Sequence, residues 1–199
     1  MQEKEEITFR EIKKEIRIVG IDDCPFTPKT HRDIFVFGIV TRGGYWIDGV
    51  MRTRVEVDGF DATEKIANMI KSSPHYKQLR VIMLDGITFA GFNLVDSHAL
   101  FKSTRLPVLA ITREKININS VRSAIKHLSR WEERLLILQN NDEPVKLKIR
   151  ETELNMHVVG ISTKNAEKIV QISCTRGNIP EPLRLAHIIA SGLTKQINQ

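Results

Sequence analysis

The chain has 199 residues, 41% hydrophobic and 27% charged, which is enough for one sizeable core and ordinary for a globular protein. No apolar run approaches the roughly 20 residues that cross a bilayer and no charged-then-apolar leader opens the sequence, so one cytoplasmic domain over residues 1–199, without a membrane partner, is expected. Cys24 and Cys174 have no second Cys or His at metal-ligand spacing, which argues against a disulfide framework or a zinc site, while the net charge of +6 modestly favours polyanionic partners.

The first predicted element is a strand at residues 16–22, where Ile16, Ile18, Val19 and Ile21 make an apolar run that stops at Asp22-Asp23-Cys24-Pro25. Such a run fits a buried central strand. Residues 33–41, the Gly43-Gly44 turn and residues 45–58 together predict an antiparallel hairpin. In its second arm Arg52, Arg54, Glu56 and Asp58 alternate with Met51, Thr53, Val55 and Val57, so one face is solvated. Ala62, Ile66, Met69 and Ile70 recur at helical spacing, giving a helix over residues 62–72 that ends before Pro74. A strand at 81–84 leads into Asp85-Gly86; a helix near 97–103 and a strand at 107–112 follow, the signature of a parallel pair with a right-handed connection. Helices at 119–128 and 130–139, a β-ribbon of 145–150 with 157–161, and helices at 163–173 and 182–196 complete the chain. The expected fold class is α/β: a mixed five-stranded sheet, three antiparallel hairpin-type strands plus two parallel ones, flanked by helices, with a small extra β-ribbon.

Residues just past the carboxyl ends of neighbouring parallel strands converge on one crevice. Asp22 and Asp23 follow the first strand and Asp85 the fourth. If those strands are adjacent, their carboxylates meet around one hard divalent cation, Mg²⁺ or Mn²⁺, able to polarise a phosphate. Singly, each acid reads as well as a turn or cap residue, and flavodoxin-like and receiver-like sheets place Asp at the same point. The residues alone therefore define an α/β protein with metal-dependent phosphate chemistry as one candidate.

Three segments resemble endonuclease V. Asp85-Gly86 with residues 87–96, followed by residues 106–113 ending in Arg113, is similar to its strand, Asp-Gly loop and later strand with a terminal basic residue. The Pro-rich stretch from Arg176 to His187 resembles the approach to its last helix, and residues 18–22 its first catalytic strand. Trp46 lies where that enzyme carries a Tyr-containing strand-separating loop. The archaeal family called domain of unknown function ninety-nine, itself endonuclease V-like, is resembled more closely, through Asp58-Gly59-Phe60-Asp61-Ala62-Thr63, residues 84–93 and residues 180–190.

The resemblance covers nearly the whole chain. It implies a ribonuclease H-like fold and a divalent-metal-dependent phosphodiester hydrolase acting on DNA or RNA. It implies Asp22 or Asp23 with Asp85 as metal ligands, and His187 near the reacting phosphate. For the third acid Asp58, then Asp61, is expected ahead of Glu56. Where endonuclease V has His, Gly, a further His and Arg after its Asp-Gly, this chain has Ile87, Thr88, Gly91 and Asn93, a departure from the deaminated-purine pocket.

The same residues have plainer readings. His187 borders the apolar stripe Leu183, Ala186 and Ala190, and reads equally as a half-buried histidine or as a group orienting water. Arg113 is a phosphate clamp or a solvated strand end. Arg52 and Arg54 are candidate nucleic-acid contacts, and Trp46 either stacks on a base or packs on its own sheet. The alternative function is a catalytically weak or inactive relative that binds nucleic acid or a protein through the same crevice.

Overall fold

The computed structural model of the protein describes residues 5–27, 33–113, 118–140 and 144–197. Strands β1 (Arg17–Asp23), β2 (Ile34–Arg42) and β3 (Trp46–Val55) form an antiparallel meander, and β4 (Val81–Asp85) pairs parallel to β1. After it come the two-residue strands β5 (Thr88–Phe89) and β6 (Asn93–Leu94), which pair with each other, and then β7 (Val108–Thr112), parallel to β4. The ribbon β8 (Val145–Ile149) and β9 (Thr152–Val159) does not stand apart: β9 pairs antiparallel with β7, so the main sheet has seven strands in the order β3-β2-β1-β4-β7-β9-β8. Helices α1 (Ala62–Ser72) and α2 (Ser97–Thr104) cover one face, α5 (Thr163–Ser173) and α6 (Glu181–Ile197) the other. Helices α3 (Ile118–Ile125) and α4 (Trp131–Asn140) pack beside the β5–β6 loop.

The central strands are apolar at nearly every position because both faces are covered. Along β1, Val19 and Ile21 enter the core with α1 and α2, whereas Ile18 enters the core with α5 and α6. Side chains alternate across a strand, so Asp22 faces α6 and Asp23 the opposite layer. The same parity puts Asp85 on the α6 side with Val81 and Met83.

Helix starts are capped as the composition allows: Asp96 accepts from the Ala99 amide at α2, and Ser162 from the Asn165 amide at α5. Helix α6 approaches β1 closely at Gly20, where a Cβ would lie 2.3 Å from the Pro182 carbonyl carbon. Only glycine admits that contact.

The second hairpin arm differs from expectation. It stops at Val55 instead of running to residue 58, because Val55 pairs with Ile34, where β2 begins, and beyond it Asp58 takes φ 53 and turns the chain toward α1. The alternation that would set Glu56 and Asp58 side by side ends with the strand.

Candidate metal centre

Asp22, Asp85 and His187 come from β1, β4 and α6, yet one donor atom of each lies within 4.8 Å of the other two. Parallel register brings the first two together, since Ile21 pairs with Leu84 and the acids follow directly. His187 arrives because α6, started over Gly20, runs along β1 until its second turn stands above Asp22. Its Nδ1 is 2.9 Å from Asp22 Oδ2. A carboxylate only accepts, so an ionised Asp22 fixes the hydrogen on Nδ1 and leaves Nε2 as an acceptor.

The electrostatics of this end of the sheet are those of crowded, dehydrated acids. Burial raises the pKa of Asp22, and the hydrogen bond from His187 only partly offsets it. Asp85 reaches the surface, but its carboxylate is pushed up to about 6 by lost hydration and by the charge of Asp22. Asp23 is also raised to about 6, by burial first and then by Asp22 and Asp85. Three carboxyl groups that resist ionising together want a cation.

The donor set fits a hard divalent ion. Two carboxylates and one imidazole lie within 4.8 Å of one another, a span that one ion bridges at about 2.0–2.5 Å from each donor, with water and phosphate oxygens left to complete its shell. Asp23 is turned to the other face, where its Oδ2 accepts from the Ala90 amide at 2.6 Å.

Asp58 and Asp61 are not brought into this group. Asp58 Oδ1 accepts from the Phe92 amide, and Asp61 Oδ1 accepts from the Glu56 amide and from Asn93 Nδ2. Asn93, fully buried, also donates to the Glu56 carbonyl and accepts from the Ala62 amide, capping α1 where Asp61 does not. Behind both loops lies Arg134 of α4, 1% exposed. It donates to the carbonyls of Asp58 (2.7 Å), Gly59 (2.8 Å), Ser129 (3.0 Å) and Phe92. These acids therefore hold the loop that carries Ala90 against Asp23. Nothing in the local pattern of α4 marks Arg134 for this task.

On the other side of Asp85 and His187 a cleft of about 360 Å³ opens between β7, β9 and the start of α6. Its walls are the apolar Ile111, Leu154, Ile179 and Leu183, and Arg113 and Arg184 stand at it. Arg113 is close enough to Asp85 to oppose its pKa rise.

The remaining candidates lie farther out. Arg52 and Arg54 are exposed on β3 with their guanidinium carbons 5.1 and 4.3 Å from the centre of the Phe35 ring. Phe35 and Phe37 border α6, and Phe37 pairs with Asp22, so these arginines share the acids' end of the sheet. Trp46 does not. It pairs with Arg42, which pairs with Arg17, five residues before Asp22, so the tryptophan stands about 17 Å down the sheet at its opposite end. There it is 59% exposed, beside exposed Tyr45 and Ile47.

A mixed sheet that sets acids at the ends of adjacent parallel strands beneath a C-terminal helix defines an α/β protein of the ribonuclease H-like type. The chain belongs to the endonuclease dU family, whose model matches residues 14–194. It is 50% identical over 187 residues to a UPF0215 protein of Methanothermobacter thermautotrophicus, covering 94% of this chain and 91% of that one. A UPF0215 protein of Methanopyrus kandleri is 45% identical over 189 residues, covering 94% and 95%. Among solved structures, a protein from Archaeoglobus fulgidus superposes with a TM-score of 0.80 at 35% identity, over 89% of this chain and 98% of that one. Endonuclease V of Ciona intestinalis, in complex with a 24-mer DNA containing an inosine followed by a ribo-adenosine, shares the fold at a TM-score of 0.61 and 16% identity, over 92% and 87%. No helix among the described residues is long and apolar enough to cross a membrane.

Proposed function

We propose that this protein is a divalent-metal-dependent endonuclease that hydrolyses a phosphodiester bond in DNA beside a deoxyuridine. The family's description supports the class of reaction and the lesion. The observation that carries the chemistry is the meeting of Asp22, Asp85 and His187 within 4.8 Å from three distant parts of the chain.

Asp22 and Asp85 would hold Mg²⁺ or Mn²⁺, with His187 as a third donor or as the neighbour of the attacking water. When bound, the ion would supply Lewis acidity toward a phosphoryl oxygen and acidify water. The protein's own groups do the rest. Asp22 orients the imidazole through Nδ1, so that Nε2 can take a proton from water. Asp23, fixed by the Ala90 amide, adds negative charge behind the site and strengthens its hold on a cation. Arg113 neutralises the phosphate from the β7 side, while Arg54 and Arg52, braced on Phe35, meet the backbone on the β3 side. Asp58 and Asp61 act through the loop they hold.

The test is cleavage of single-stranded and duplex DNA, and of RNA, carrying deoxyuridine or uridine, inosine or no lesion, with Mg²⁺, Mn²⁺ or EDTA. Metal-dependent cleavage at deoxyuridine, lowered at least 100-fold in Asp85→Ala and in His187→Ala, is expected. Salt-sensitive binding without cleavage of any substrate would reject the hydrolase in favour of a binding module.

A further inference from the structure

We infer that the cleft between β7, β9 and the start of α6 is a nucleotide subsite, which takes one base and its phosphate from the strand whose backbone lies at the metal centre. The inference rests on the reading above for its ligand class and deepens it by naming where the neighbouring nucleotide goes.

Three observations carry it. The cleft is continuous with the acids, because Asp85 and His187 form part of its lining. Its volume, about 360 Å³, lies within the range of small-ligand pockets, and it combines an apolar wall with a few charged groups. Ile179, half-buried and packed on the core that contains Leu154 and Leu183, presents a fixed aliphatic surface to the flat face of a base. A deeper or more polar floor would suit a free sugar or metabolite better.

The charged groups are arranged for a phosphate. Arg184 Nε and Nη2 donate to both carboxylate oxygens of Glu181 at 2.7 to 3.1 Å, and the Glu181 side chain is 3% exposed. That buried carboxylate fixes the guanidinium plane and leaves Nη1 without a hydrogen-bond partner among the described residues. Arg113 faces the same cleft from the end of β7, close enough to Asp85 to act on its charge. Two guanidinium groups at one apolar slot, next to a cation site, match a phosphodiester whose base turns inward. Glu181 is then a positioning residue, acting through Arg184.

Methyl-labelled protein, free of metal, titrated with the dinucleotide pdTpdT and followed by NMR, tests this directly. The methyl signals of Leu154, Ile179 and Leu183 should move together and saturably, and the affinity should fall at least fivefold in Arg113→Met and in Arg184→Met. Because Arg184→Met also strands Glu181, Arg113→Met is the variant that keeps the fold unquestioned. Unmoved cleft methyls at a large excess of pdTpdT, or shifts that survive both replacements, overturn the subsite. A separate titration with Mn²⁺ alone reads the metal centre, since paramagnetic broadening there does not depend on the dinucleotide. Loss of that broadening rejects the metal reading, and unmoved cleft methyls reject the subsite, so the two failures are distinguishable.

Discussion

In a strand covered on both sides, consecutive acids face opposite layers, and this decides the separate fates of Asp22 and Asp23. Asp22 meets His187 beneath α6, while Asp23 meets the Ala90 amide under the Asp-Gly loop. Both acids and Asp85 have their carboxyl groups raised above 3.8, Asp23 and Asp85 to about 6. A group whose pKa is higher folded than unfolded binds more protons in the native state between the two values, so stability falls as pH rises through that window. The metal-free protein should therefore lose stability between about pH 4 and 6, on the order of 2 kcal/mol from Asp23, and level off above. Urea unfolding at a series of pH values in EDTA reads this. Mn²⁺ relieves the same repulsion, so the rise in Tm it produces should be larger at pH 7.5 than at pH 5. A metal-induced shift independent of pH would contradict the role given to these carboxylates.

At the scale of elements, two packing contacts shape the surroundings of the acids: one seats the histidine over Asp22, the other holds the loop that meets Asp23. The first is Gly20 against Pro182: any Cβ there strikes the α6 backbone at 2.3 Å, which must then lift from β1. Gly20→Ala should cost about 1–3 kcal/mol, the usual penalty of overpacking, and should weaken Mn²⁺ affinity at least tenfold because His187 moves off Asp22. Calorimetric titration with Mn²⁺ measures it. The second is Arg134, whose loss leaves four carbonyls of the Asp58, Phe92 and Ser129 segments without their donor. Arg134→Met should destabilise by about 3–5 kcal/mol in chemical denaturation, far more than replacement of an exposed side chain on the same helix such as Glu132.

The strand and helix pattern that sets these elements was readable because period and burial agree. Strand β1 is apolar on both sides, and α1 repeats Ala62, Ile66, Met69 and Ile70 on its buried side. The alternation of residues 51–58 overstates β3, which ends at Val55 opposite the first residue of β2, and no local pattern announces the left-handed turn at Asp58. Arg134 is not legible in the sequence, because an arginine on a short charged helix looks solvated until tertiary contacts surround it.

For the molecule as a whole, acids at the carboxyl ends of β1 and β4 were foreseeable from strand order alone, because adjacent parallel strands must deliver them to one crevice. The ranking of the other acids was not, since Asp58, Asp61 and Glu56 are separated from one another only by which backbone amides and carbonyls they or their neighbours engage. Nor was the place of Trp46, which depends on the hairpin's tip pointing away from the acids. The cleft walls Leu154 and Ile179 come from β9 and the loop before α6, contacts that no local sequence window contains. What remains central is that Asp22 and Asp85 share one cation. Crystals soaked in Mn²⁺, with an anomalous difference map recorded above the manganese edge, examine it most directly. A peak about 2.0–2.5 Å from a carboxylate oxygen of both residues is expected; a strong peak elsewhere with none between these two side chains would overturn the shared cation.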